Sequence, residues 1–140
     1  MRVFFDASVI IAALLSQTGG SSLLLKYAKI GRITGITSQT VVDEVSNKSK
    51  KLNKTKEALE QFIAESGLVV RNKITSEEIS PYLDLVHVED AHVIAGAKLT
   101  KCSHLVTLDK RDLLNTKIKN SFTPLKIVSP KELLEEILSH

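Results

Sequence analysis

Val3-Phe4-Phe5-Asp6-Ala7-Ser8 sets an acid at the end of an apolar run, where a buried strand would ordinarily pass into a neutral turn. Residues 3–5 read as a short strand, and a helical pattern over residues 8–16 follows it directly. Outward from there the alternation repeats. Apolar, β-rich segments stand at residues 33–36, 68–70, 104–108 and 125–128. Helical patterns lie between them, over residues 21–30 after the Gly19-Gly20 turn, from about Thr40 onward, and over residues 55–66 and 89–100. Thr40 with Asp43 and Thr75 with Glu78 have capping-box spacing, the second pair before a short helix broken around Pro81. Ser129-Pro130-Lys131-Glu132 opens the last helix with an N-cap residue, proline at the first helical position and glutamate at the third. Strands alternating with helices predict an α/β fold, a three-layer α/β/α sandwich on a mostly parallel central sheet of four or five strands.

The 140 residues suit a single domain, residues 1–140, with no internal repeat, low-complexity tract or interdomain linker. Hydrophobic and charged fractions of 43% and 25% are those of an ordinary soluble protein. The longest apolar run, residues 9–15, falls far short of the roughly 18 residues that span a bilayer, so no membrane partner is expected. A secretory signal is not expected either, because Asp6 interrupts the first apolar stretch and no small-residue cleavage site follows. Cys102, the single cysteine, cannot form an internal disulfide, which makes a reducing cytoplasm the expected compartment. The net charge of +3 is mild, but Lys48, Lys50, Lys51, Lys54 and Lys56 fall within nine residues, and Lys98, Lys101, Lys110 and Arg111 flank a later acidic motif. Such clusters are either a solvated face or a set of phosphate contacts.

In an open parallel sheet, sites assemble in the crevice at the strand carboxyl ends. Asp6 ends the first strand; Asp109 ends another, in Leu105-Val106-Thr107-Leu108-Asp109, with Asp112 three residues on. Taken singly, each has an innocent reading as a helix N-cap or turn residue. Helical phase sorts the remaining acids. With Val41, Val42 and Val45 inward, Glu44 lies about 105° from the stripe centre and Asp43 about 155° away, so Glu44 borders the buried face. Asp90 heads the stripe of Val93, Ile94 and Ala97. A carboxylate there costs several kcal/mol unless it is paired, hydrogen-bonded or bound to a cation. The bland alternative has Asp90 capping its helix and Glu44 meeting a lysine. Converged in one crevice, Asp6, Glu44, Asp90 and Asp109 demand cations, and oxygen-only ligands select Mg²⁺ or Mn²⁺ over Zn²⁺. Ions held in that way can activate water and stabilise the leaving oxygen in phosphodiester hydrolysis.

The same residues, in their order and spacing along nearly the whole chain, resemble the PIN-domain nuclease superfamily. They are the apolar strand ending in Asp6 with Ser8 beyond it, Glu44 on a helix after Thr37-Ser38-Gln39, Glu89-Asp90-Ala91-His92-Val93-Ile94-Ala95, and Thr107-Leu108-Asp109-Lys110-Arg111-Asp112. Within it the chain most resembles the group described as toxin components of prokaryotic toxin–antitoxin systems. That resemblance implies a Mg²⁺- or Mn²⁺-dependent endoribonuclease in which Asp6, Glu44, Asp90 and Asp109 form the acidic catalytic and metal-binding set. It implies Asp112 as a supplementary acid, Ser8 as a short polar group that holds an acid or a water, and Thr107 as the hydroxyl residue before the final acid. Ala7 stands where the family often has threonine. The resemblance also implies RNA as substrate and admits a homodimer and a small antitoxin whose tail blocks the groove. Lys48, Lys50, Lys51, Lys110 and Arg111 are the candidates to steer the negatively charged strand.

Other chemistries find little support. His87, His92, His104 and His140 have no metal-ligand spacing; His92 is expected on the solvent side of its helix, and His104 in a structural role. Gly19-Gly20 lacks a Walker pattern, and Ser38, Ser46 and Ser103 lack nucleophile-elbow context. A haloacid-type phosphatase would carry a second Asp where Ser8 stands, and a receiver domain would cluster two acids after its first strand. The alternative from another class is a catalytically inactive PIN-fold module that binds RNA or a protein, in which the acids would be eroded. All four positions are filled.

Overall fold

Strand β1, Arg2–Phe5, lies at the middle of the sheet and pairs parallel on both sides. Phe4 stands opposite Ile36 of β2 (Thr34–Ser38) and opposite Leu105 of β4 (His104–Val106). β3 (Val69–Arg71) continues from β2 and β5 (Lys126–Val128) from β4, giving five parallel strands in the order β3-β2-β1-β4-β5. The structure is a computed structural model and describes residues 1–139; His140 lies outside the described residues.

Both faces of the sheet are covered by helices, as a parallel sheet requires. Val3, Phe4 and Phe5 are fully buried and alternate in direction. Phe4 points at α7 (Val88–Leu99), where Gly96 leaves room for its ring: a Cβ on Gly96 would come within 2.6 Å of Phe4 Cζ. Phe5 points the other way, beside Gly35 and under α2 (Gly20–Lys29), where a Cβ on Gly35 would meet Ala28 Cβ at 2.8 Å. Two close approaches on opposite faces thus fix the sandwich. Burying each ring contributes about 1.5–3 kcal/mol.

Around this frame run α1 (Ala7–Leu15), α3 (Gln39–Ser46), α4 (Ser49–Leu52), α5 (Lys56–Glu65), α6 (Ser76–Ile79), α8 (Thr116–Ser121) and α9 (Pro130–Leu138). Reciprocal capping boxes form at Thr75/Glu78 and Ser129/Glu132, as their spacing predicts. The expected Thr40/Asp43 box does not form. Ser38, at the end of β2, caps α3 by accepting from the Val41 amide at 3.2 Å, while Thr40 Oγ1 accepts from the Ile74 amide at 3.0 Å. The hydroxyl is used to anchor the segment after β3. The short helices α4 and α8 carry too little apolar periodicity to be read from the sequence; α4 ends at Asn53 in the left-handed region, φ 54°. No single helix among the described residues is long and apolar enough to cross a membrane.

Candidate active site

Because all strands run one way, β1, β2 and β4 end at the same edge, and the order of the sheet reverses between β1 and β4. That switch point is where an open α/β sheet leaves a crevice. Asp6 follows β1, Glu44 rides on α3 after β2, Asp109 lies in the loop after β4, and Asp90 stands in the first turn of α7.

Asp6 is held from three directions. Its Oδ1 accepts from the Ala7 amide at 2.8 Å, and its Oδ2 accepts from the hydroxyls of Ser8 at 2.9 Å and Thr107 at 2.7 Å. It is also the N-cap of α1, so the innocent reading of this acid holds while the same carboxylate stands at the crevice. Ser8 Oγ accepts from the Leu108 amide at 3.1 Å, and Thr107 Oγ1 from the Asp109 amide at 3.1 Å. The two hydroxyls therefore lock the β1 and β4 ends together around one carboxylate. Burial nonetheless raises the Asp6 carboxyl above its ordinary value, against those hydrogen bonds, and the nearby Glu44 charge pushes the same way.

β4 ends two residues earlier than the apolar pattern suggests, at Val106. Thr107 is fully buried but turns its hydroxyl to Asp6, and the chain curls through Asp109, whose carbonyl accepts from the Leu113 and Leu114 amides at 3.3 and 2.9 Å. Its carboxylate accepts from the Asp112 amide at 2.9 Å. The curl carries Asp112 back into the crevice. One carboxylate oxygen each from Asp90, Asp109 and Asp112 lie within 4.8 Å of one another. Asp112, expected only as a supplementary acid, thus stands in the close group, with Asp6 near Asp90 and Glu44 near Asp6. Asp90 feels the result: burial pushes its carboxyl up to about 6, and the charges of Asp109, Asp112 and Asp6 add to the effect. It is not the helix cap, a position held by His87.

His92 does not face solvent. α7 is buried around its whole circumference from Ala91 to Ala97, so it has no solvent side at that depth, and His92 is only 5% exposed. Its Nε2 pairs with Glu44 Oε1 across the gap between α3 and α7. Glu44 therefore meets a histidine where a lysine was the bland expectation. The signal in the sequence was the run Ala91-His92-Val93-Ile94-Ala95-Gly96-Ala97, too small and apolar on every face to lie at a surface. His104 is structural, its ring bonded to Ser103 at 2.7 Å and Glu136 at 2.9 Å.

Two of the basic candidates border the acids. Lys48 lines a cavity of about 510 Å³ with Glu44, His92, Asn47 and Val88, and Arg111 lines a neighbouring one of about 370 Å³ with Asp112, His87 and Val88. Lys50, Lys51 and Lys110 lie at the surface. A further cavity of about 330 Å³, between α1, α2 and α5, contains none of the acids.

The PIN domain family matches residues 2–111. The chain belongs to the PIN-domain family. The matched segment of this PIN domain holds Asp6, Glu44, Asp90 and Asp109, and Asp112 lies one residue beyond it. Solved structures with the same fold include a toxin–antitoxin complex from Klebsiella pneumoniae, 20% identical, with a TM-score of 0.59 over 91% of this chain and 97% of that one. VapBC2 from Rickettsia felis, bound to a DNA fragment from their promoter, is 16% identical, with a TM-score of 0.64 over 92% and 98%. A protein from Pyrobaculum aerophilum is 12% identical, with a TM-score of 0.66 over 100% and 97%. No curated protein matches the sequence of this PIN domain.

Proposed function

We propose that this PIN domain is a divalent-metal-dependent endoribonuclease, the toxin component of a toxin–antitoxin pair, working as a single unit over residues 1–140 in the cytoplasm. One observation carries the reading: three carboxylates from two distant segments are pressed together where their charges oppose one another. At about 4 Å and an effective dielectric near 20, each such repulsion costs about 4 kcal/mol, so the arrangement calls for a positive partner. The donor set fits a hard cation. All donors are carboxylate oxygens, and the separations suit an ion with ligand distances of about 2.0–2.6 Å, which points to Mg²⁺ or Mn²⁺.

In this reading Asp90, Asp109 and Asp112 hold the cation, with Asp6 and Glu44 completing the acidic wall. When bound, the ion supplies water activation and charge stabilisation at the leaving oxygen of a phosphodiester. The chain's own residues supply the rest. Ser8 and Thr107 orient Asp6 and keep its oxygens from swinging toward solvent. Lys48 and Arg111, in the cavities either side of the α7 start, hold backbone phosphates, and Lys50, Lys51 and Lys110 add to the steering field. The shared fold with toxin–antitoxin complexes supports a small antitoxin as partner, and a homodimer accords with the same family.

The test is cleavage of a generic single-stranded RNA in Mn²⁺, with single-stranded DNA in parallel and EDTA as control. Wild-type protein is expected to cut RNA, and Asp6→Asn and Asp90→Asn to lose cutting while keeping a native circular dichroism spectrum. RNA bound but left intact by wild type in Mn²⁺ would overturn the enzyme reading in favour of a binding module.

A further inference from the structure

The pair between His92 and Glu44 has a feature that a packing role does not explain. The His92 side chain is buried, its Nε2 lies against Glu44 Oε1, and its Nδ1 is buried with no hydrogen-bond partner. Glu44 Oε1 is buried as well and has no other polar partner among the described residues. An imidazole with one nitrogen stranded away from water is costly to keep in a helix where the neighbours Ala91, Val93 and Ala95 show that a small or apolar residue would fit. The cost is offset only if the other nitrogen does something that an apolar side chain cannot.

We propose that His92 is a positioning residue: it clamps Oε1 of Glu44 so that the remaining oxygen, Oε2, is presented to the cation site beside Asp6. Carboxylates that serve a metal are ordinarily oriented by a neighbour outside the ligand shell, and loss of such a neighbour typically weakens metal affinity 10–100-fold. Glu44 needs one. It sits on α3, half exposed, with no other ion pair or hydrogen bond to a described residue, so without His92 its rotamers are free to turn into the adjoining cavity toward Lys48. The Glu44 charge pushes the Asp6 carboxyl upward, in keeping with a place for Glu44 beside the acidic wall. His92 thereby joins α3 to α7 at the point where both feed the crevice. The inference rests on the nuclease reading above.

The test compares His92→Gln, which keeps an N–H at similar reach, with His92→Leu, which removes it, and adds each to a Glu44→Gln background. Mn²⁺ affinity, read from the free-ion electron paramagnetic resonance signal without RNA, is expected to fall at least tenfold in His92→Leu and to be largely restored in His92→Gln. In the Glu44→Gln background, His92→Leu should add no further loss. With RNA, kcat should fall and KM stay near wild type. Wild-type Mn²⁺ affinity in His92→Leu, or an equal additional loss in the Glu44→Gln background, would overturn the positioning role while leaving the nuclease reading intact. If His92→Leu does not fold, His92→Ala takes its place in both backgrounds and decides in the same way. Failure of the wild-type protein itself to bind Mn²⁺ would overturn the nuclease reading, and this inference with it.

Discussion

The hydroxyl of Thr107 donates to Asp6 Oδ2 at 2.7 Å across 101 residues of sequence. Both ends of the bond are set by parallel pairing. Phe5 stands opposite Val106, so the residues that follow each strand emerge side by side at the sheet edge. The acid at the first strand's end is thus fixed by the fourth strand.

Removing that hydroxyl should loosen the whole edge. In Thr107→Val, Asp6 loses its shortest hydrogen bond and the Asp109 amide loses its acceptor. We expect a stability loss of about 1–3 kcal/mol by urea denaturation, together with reduced nuclease rate, and recovery of both in Thr107→Ser. A Thr107→Val protein as stable and active as wild type would show that the bond is incidental.

The crowded carboxylates should give the cation-free protein a distinctive pH profile. The Asp90 carboxyl is raised from 3.8 to about 6 in the fold. An acid raised on folding costs nothing below its unfolded value; its penalty grows as the pH climbs from 3.8 and is complete above about 6. In EDTA, stability should therefore decline over that interval, and Asp90→Asn should be more stable than wild type at pH 7.5 by about 1–2 kcal/mol, allowing for partial exposure. Equal stability of the two proteins across the range would contradict the crowding.

Adding the cation should reverse the penalty. At a Mn²⁺ concentration about 100 times the dissociation constant, binding to the folded state alone adds about 2.7 kcal/mol, a rise in melting temperature that differential scanning fluorimetry resolves easily. Asp112→Asn should blunt the rise as strongly as Asp109→Asn, because both stand in the closest group of oxygens. A full Mn²⁺ shift in Asp112→Asn would return that residue to a supporting place.

Gly96 links the core to the site. A methyl group there would press on the Phe4 ring at 2.6 and 2.7 Å, displacing α7, which carries Asp90, from β1, which leads into Asp6. Gly96→Ala is expected to cost about 1–3 kcal/mol and to lower activity beyond what the reduced stability explains. Unaltered thermal unfolding would mean that the helix accommodates the methyl without moving.

The basic residues near the crevice should act through phosphates. Replacing Lys48 and Arg111 by alanine should raise KM for RNA and leave kcat near wild type. The dependence of binding on salt should flatten by about one unit of slope for each phosphate that is no longer neutralised. Alanine at exposed Lys101, on a left-handed turn after α7, serves as the control. A salt slope unchanged in the double variant would remove these residues from the RNA path.

The order of elements, the parallel sheet and the acidic positions were legible because they rest on local rules. Apolar runs of three to five residues separated by helical patterns leave few topologies, and an acid ending a buried strand is expensive enough to stand out. Asp6, Glu44, Asp90 and Asp109 could be named from such placement, and the resemblance to PIN domains added to it. His92 and the proximity of Asp112 were not legible in the same way. His92 was misplaced because helical phase assumes one wet face, whereas packing against β1, β2 and β4 on one side and α6 on another leaves α7 none at that depth. Asp112 joins Asp90 through a curl closed by backbone bonds to the Asp109 carbonyl, a long-range outcome that carries no periodic signature. Sequence thus determined which residue types stand where strands end, because burial and chain direction are local costs. Tertiary structure alone decided which of them stand close enough to share a cation, because that depends on distances between segments that never meet along the chain.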